Sequence, residues 1–299
     1  MILRTELDHL PPRKQREIER ILAILLEEFE AARALRTQAH RRKGRVLKII
    51  LYGSHARGDF VDDPVSGYHS DYDLLIIVDH DDLTEKIDYW DKAEDRFSQL
   101  RLARRMKQDV SLIVHTLADV NDQLARGRYF FADIVREGIA LYEAKGSDLV
   151  DPQPLEAEIA REEAEDYFAT YRPLIENSRH LAATSIERGV LRDGAFNLHQ
   201  ACERAYQCTL LVLTLYTPAT HNLRNLHNRC VDLDRRFLAI WPGDSRLARK
   251  SFERLKDAYV KARYSKHYRI SREELDWLSE RVAALHALVE TVCRERLAR

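Results

Sequence analysis

The sequence predicts an α+β chain, with an N-terminal α/β half on a short mixed sheet and an all-α bundle after it. Three observations carry this expectation. Short β-branched apolar runs alternate with helical stretches in the first half only. Beyond residue 154 nearly every stretch repeats its apolar residues at helical spacing. The 299 residues also hold just 10 Gly and 8 Pro, too few turn formers for a chain of many short strands.

Taken in order, Pro11-Pro12 open a helix whose apolar face runs through Ile18, Ile21, Leu22, Leu25, Phe29 and Ala32. It is expected to stop near the basic run Arg41-Arg42-Lys43-Gly44. Residues 46–52 are apolar and β-branched and are cut by Gly53-Ser54, which reads as a buried strand. A polar loop with Asp62, Asp63, Pro64 and Gly67 leads to a second strand at 71–78. Residues 83–106 read as a helix and 109–115 as a third strand. Helices at 117–124 and 130–136 follow, closed by Gly138. Gly146, Ser147, Asp148, Pro152 and Pro154 mark the best linker, so the expected division is 1–145, a linker at 146–154, and 155–299. The second half is expected to be helical over 155–188, 194–216, 247–263 and 272–297.

Composition excludes several classes of function. Lys+Arg number 48 and Asp+Glu 49, a net charge of -1 that argues against coating DNA. No apolar run approaches the roughly 18 to 20 residues of a membrane span, and the first twelve residues do not resemble a secretory signal. The four cysteines form no CxxC pair, so a disulfide framework is not expected and a reducing cytoplasm is.

The chemistry-bearing stretch is Gly53-Ser54-His55-Ala56-Arg57-Gly58 followed by Ser70-Asp71-Tyr72-Asp73. A strand that turns through Gly-Ser points backbone N–H groups outward and suits a phosphate. Asp71 and Asp73 are two apart on a strand, so both carboxylates share a face, roughly 7 Å apart. Such a pair suits hard divalent cations that bridge phosphate oxygens. Asp109 is the only acid on the third strand and completes a three-carboxylate cluster if that strand lies beside the second. Ser54 is read as a phosphate contact or a helix cap. Arg57 is read as a triphosphate contact or a surface ion pair with Asp59 or Asp62, and Tyr68 and His69 as candidates for base stacking.

This pattern of Gly-Ser, Asp-x-Asp and a later third Asp resembles the nucleotidyltransferase superfamily that includes DNA polymerase β and kanamycin nucleotidyltransferase. The likeness covers roughly the first half, ending at Glu137-Gly138-Ile139-Ala140-Leu141-Tyr142. It implies NTP binding through Gly53, Ser54 and Arg57, with Mg²⁺ (or Mn²⁺) held by Asp71, Asp73 and Asp109. It further implies transfer of a nucleoside monophosphate, foremost AMP from ATP, to a hydroxyl on a small molecule or a protein. The 59–69 loop is longer than in minimal members.

In the second half, Phe196 to Ala205 and Asp257 to Tyr264, with His221-Asn222-Leu223 between them, resemble the HEPN domain. That likeness implies a homodimer. It also implies an alternative function, a toxin-type ribonuclease kept silent by the attached transferase, and a further one, a non-catalytic NTP sensor. Active HEPN ribonucleases use an Arg and a His with four to six residues between them, and a nearby Tyr in some toxins. Here Arg263 and His267 have three residues between them, followed by Tyr268. The same residues read equally as a helix end and an exposed turn. His199 and Glu203, one turn apart, are read as a polar contact between helices.

Overall fold

The computed structural model describes residues 3–63 and 68–298. Two compact units divide the chain, Met1–Leu155 and Glu156–Arg299.

In the first unit, α1 (Pro12–Ala34) and the short α2 (Ala39–Lys43) precede β1 (Val46–Tyr52). Gly53 then turns the chain into α3 (Ser54–Arg57), and a two-residue ladder joins β2 (Asp62–Asp63) to β3 (Tyr68–His69). Next come β4 (Tyr72–Val78), a 3₁₀ turn at Asp81–Thr84, α4 (Lys86–Tyr89) and α5 (Asp91–Leu102). β5 (Val110–Thr116), α6 (Leu117–Ala125), α7 (Tyr129–Glu137) and β6 (Ile139–Glu143) complete the unit.

The sheet order is β5-β4-β1-β6, with β4 parallel to β5 and β1 antiparallel to both its neighbours, hence mixed. β1 and β4 are buried along their whole length, as expected of Val/Ile/Leu-rich central strands covered on both faces. The Tyr72, Leu74, Ile76 and Val78 face of β4 shares a core with Ile18, Ile21, Leu25 and Phe29 of α1. The Tyr72 hydroxyl donates to Glu17 there at 2.7 Å. On the period-2 pattern Asp73, Leu75 and Ile77 take the opposite face, and α6 lies against β4 and β5, α7 against β1.

Several elements differ from the sequence expectation. The helix expected over 83–106 is three pieces. Glu85 is extended, buried Trp90 hydrogen-bonds the Leu83 carbonyl at the junction, and Arg104 closes the segment at φ 56. The first helix stops at Ala34, and 39–43 form a separate turn of helix. β6 was not expected as a strand, because its five residues are held by pairing with β1 and by the Arg4 carbonyl on the Ala140 N–H. The 146–154 stretch is fastened to α6, through Val150 N–H to Asn121 and Gln153 N–H to the Leu124 carbonyl.

The second unit is all helix: α8 (Ala157–Glu187), α9 (Leu191–Thr214), α10 (Leu223–Leu233), a 3₁₀ segment at Arg235–Ile240, α11 (Arg246–Tyr264) and α12 (Arg272–Leu297). α9 is the central helix. It packs against α8, α10, α11 and α12, and 15 of its 24 residues are buried. Side-chain caps fix the starts of its neighbours: Asn222 for α10, Ser245 for α11, and a Ser271–Glu274 capping box for α12. α10 was not expected, although Leu223, Leu226, His227, Cys230 and Val231 are buried at helical spacing. Among the described residues no helix is long and apolar enough to cross a membrane.

Candidate functional site

The Gly53 turn and the start of β4 build the candidate site of the first unit. Gly53 has φ 72, a region L residues rarely enter, and a Cβ placed on it would lie 2.9 Å from Asp73 Oδ2. The glycine therefore lets the turn seat directly against that carboxylate. In register, Asp73 stands opposite Tyr52 of β1 and Ser111 of β5. Asp71 and Asp73 are only 6% and 4% exposed, unusual for carboxylates. Ser54, fully buried, has an Oγ with no hydrogen-bond partner among the described residues, so it is not serving as a helix cap.

His55 ties the turn to the strand. Its Nδ1 must carry hydrogen, because it lies 2.8 Å from the Asp71 carbonyl, which only accepts. The ring stacks on Phe60 at 4.7 Å and tilts against Tyr72 at 4.3 Å. Burial, reinforced by the Lys14 cation, lowers its pKa to about 3, so it is neutral at physiological pH. The sequence reading gave His55 no role; its place inside the Gly-Ser turn was the available signal.

Other predicted residues are engaged elsewhere. Asp109 precedes β5, and its carbonyl accepts the Tyr72 N–H at 2.9 Å, which brings it beside Asp71. Its carboxylate is paired with Arg101. Asp71, Asp73 and Asp109 do not form a group of three ligand atoms within 4.8 Å. Arg57 reaches Asp59 at 3.4 Å and Glu137 at 3.8 Å. His69 pairs with Asp62. Residues 64–67 of the long loop and the Tyr68 side chain lie outside the described residues.

The donors at the Gly53 turn fit a divalent cation in kind: two buried carboxylates, Asp71 and Asp73, and a buried, unpartnered Ser54 hydroxyl, all hard oxygens. A different group, Glu176, His286 and Glu290, does place three ligand atoms within 4.8 Å. It is an ion-pair cluster instead. Arg179 donates to His286 Nδ1 at 2.8 Å, which leaves the hydrogen on Nε2 and no free lone pair for a metal. Arg172 bridges Glu290 and Glu176 at 2.7 and 3.4 Å.

In the helical unit, Arg263 lies in the last turn of α11, its guanidinium over the rings of Phe196, Tyr259 and Tyr264 at 4.9, 4.6 and 5.0 Å. His267 is exposed in the turn that follows, and its N–H binds Ser265. Tyr268 is buried, and its hydroxyl donates to the Arg254 carbonyl at 2.9 Å, a structural bond. The structure thus gives these three residues separate tasks. His199 and Glu203 do bridge helices, with His199 Nδ1 donating to the Leu255 carbonyl of α11 at 3.0 Å.

Residues 157–292 match the family of the HEPN domain, so the C-terminal unit is a HEPN domain. No nucleotidyltransferase family model matches the N-terminal unit, whose small mixed α/β fold is compatible with one. No curated protein matches the chain.

Proposed function

We propose that the N-terminal unit transfers a nucleoside monophosphate, foremost AMP from Mg²⁺-ATP, to a hydroxyl of a small-molecule or protein acceptor. One observation carries this reading: two buried carboxylates at the start of β4, Asp71 just before it and Asp73 on it, with a left-handed glycine so close that any side chain on it would strike Asp73. The order Gly-Ser, then Asp-x-Asp, around that turn is the pattern whose resemblance implies an NTP and a divalent cation. Asp71 and Asp73 would hold the divalent cation, and Ser54 Oγ would supply a hydroxyl to a phosphate oxygen. When bound, the cation stabilises the charge of the triphosphate and of the departing pyrophosphate. Asp109 would help to take the acceptor's proton once Arg101 lets go of it. Arg57, now shared between Asp59 and Glu137, must turn from them to reach a phosphate.

The test uses α-labelled ATP with Mg²⁺ and follows pyrophosphate release and label on the protein, on RNA and on aminoglycosides. Label that disappears in Asp71→Ala/Asp73→Ala supports the reading. Equal labelling by that variant and the wild type would sink it.

A second reading concerns the other unit. The HEPN match over 157–292 favours RNA cleavage by the helical domain, with the N-terminal unit regulating it. Incubating the full chain with single-stranded RNA tests it directly, and intact RNA after long incubation would reject it.

A further inference from the structure

The helical unit holds a second cluster of titratable side chains, distinct from Arg263, His267 and Tyr268 as a set. Its centre is Glu203 on α9, 6% exposed. Both Glu203 oxygens lie 3.1 Å from His221 Nδ1. Burial alone would raise the Glu203 pKa, but the two histidines beside it, His199 and His221, outweigh burial and lower it below the ordinary carboxylate value. A carboxylate only accepts, so His221 Nδ1 carries the hydrogen and Nε2 is the free lone pair. That lone pair accepts the Tyr259 hydroxyl at 2.9 Å, and the two rings stack at 3.9 Å and 15°. Beneath them His199, fully buried, turns an Nε2 with no hydrogen-bond partner toward Glu203 at 3.5 Å. Gln200 and Gln207 complete the surroundings with long bonds to Glu203, 3.5 and 3.4 Å.

A hydroxyl, an imidazole acceptor and a carboxylate that orients the imidazole form a unit that moves protons. This one opens to solvent, since the His221 side chain is 53% exposed. Arg263 stands at its rim, 4.6 Å over Tyr259, where a guanidinium meets a phosphate well. Residues 246–272 hold ten Lys/Arg against two Asp/Glu, within a chain of net charge -1. Tyr264, 75% exposed beside Arg263, offers a face for an unstacked base. Cations, ring faces and a proton acceptor together fit single-stranded nucleic acid. RNA fits better than DNA, because its 2′-hydroxyl lies next to the phosphorus and needs such a base.

We propose that His221, oriented by Glu203 and bonded to Tyr259, is the acid–base residue of a site that cleaves single-stranded RNA, with Arg263 holding the phosphate. The proposal rests on the second reading above and moves its chemistry from His267 to His221. The 2′-oxygen attacks phosphorus, forming the O2′–P bond as the P–O5′ bond breaks. Tyr259 turns its proton from His221 to the leaving 5′-oxygen, which frees His221 Nε2 to take the 2′-hydroxyl proton, and protonated His221 then restores the tyrosine. The products are a 2′,3′-cyclic phosphate and a 5′-hydroxyl.

The experiment uses the full chain with an end-labelled, mixed-sequence RNA oligonucleotide and its DNA counterpart. Expected is cleavage of RNA alone, leaving cyclic phosphate ends. His221→Gln should slow it at least about a hundredfold, and Tyr259→Phe, which keeps the ring stack, at least about tenfold. His267→Ala should stay within about threefold, the change expected of a residue outside the proton relay. Cleavage lost in His267→Ala but kept in His221→Gln overturns the assignment and leaves the RNA reading standing. No cleavage by the wild type overturns both. If His221→Gln loses its far-UV signal or its melting transition, Tyr259→Phe decides, and an unchanged rate in that variant overturns the proposal.

Discussion

The two units bury acids in different ways. In the N-terminal unit, Asp71 and Asp73 are set by backbone: a left-handed glycine, a tight turn and one strand face bring them together. In the HEPN unit, Glu203 is set by side chains, His199 of α9 and His221 of the loop before α10, which outweigh burial and lower its pKa. A backbone-built site is rigid before a ligand arrives and suits a cation with strict geometry. A site built from packed helices can hold a proton relay, because each imidazole takes its tautomer from its neighbours.

The contrast predicts effects of different size. The largest should follow Asp71→Asn or Asp73→Asn, which should cut nucleotidyl transfer by about 10²–10³-fold and leave the RNA assay unchanged. Parallel loss in both assays would show that the units do not act separately.

Next comes Gly53→Ala. Its φ of 72 and the 2.9 Å approach to Asp73 leave no room for a methyl group. Urea titration should show a loss of about 1–3 kcal/mol, with transfer activity falling further than stability. An unchanged midpoint would mean that the turn can rearrange.

Smaller and shared between the units is a pH effect. His55 and His227 are each buried, with pKa values lowered from the ordinary 6.5 to about 3, mainly by burial. Because the folded values lie below the unfolded ones, unfolding takes up protons between those limits. Stability is therefore full above about pH 6.5 and declines as pH falls toward 3. Urea midpoints at pH 7.5, 5.5 and 4.5 should fall in that order, and a flat series would contradict the buried, neutral histidines. His227→Gln should flatten the part that comes from the helical unit.

The smallest effect should be that of Asp109→Asn. Its carboxylate is held by Arg101 and does not form a three-ligand group with Asp71 and Asp73. A modest drop in transfer, under about tenfold, fits a residue recruited only during turnover. A loss as large as that of Asp73→Asn would place it at the cation throughout.

What could be read from the sequence follows its distance along the chain. Gly53, Ser54, Asp71 and Asp73 lie within about twenty residues, and strand periodicity alone gives the two acids one face. Four of the five α-helices of the second unit, α8, α9, α11 and α12, are visible for the same reason, since period and caps are local. α10 escaped because its stripe is short and follows Pro218, although its buried positions keep helical spacing. β6 had no local signal at all, being five residues completed by β1 and the Arg4 backbone.

By itself, the sequence determined a short mixed sheet followed by a helical bundle, and a pair of acids beside a glycine turn. Hydrophobic period and turn chemistry act over a few residues, so both could be inferred without coordinates. Only the tertiary structure decided what the charged groups do. It gave Asp109 to Arg101, split Arg57 between Asp59 and Glu137, and locked the Tyr268 hydroxyl onto a carbonyl. It also gathered His199, Glu203, His221 and Tyr259 from positions up to sixty residues apart. Long charged side chains take whichever partner packing leaves within reach, and that choice is made only after helices and strands have docked.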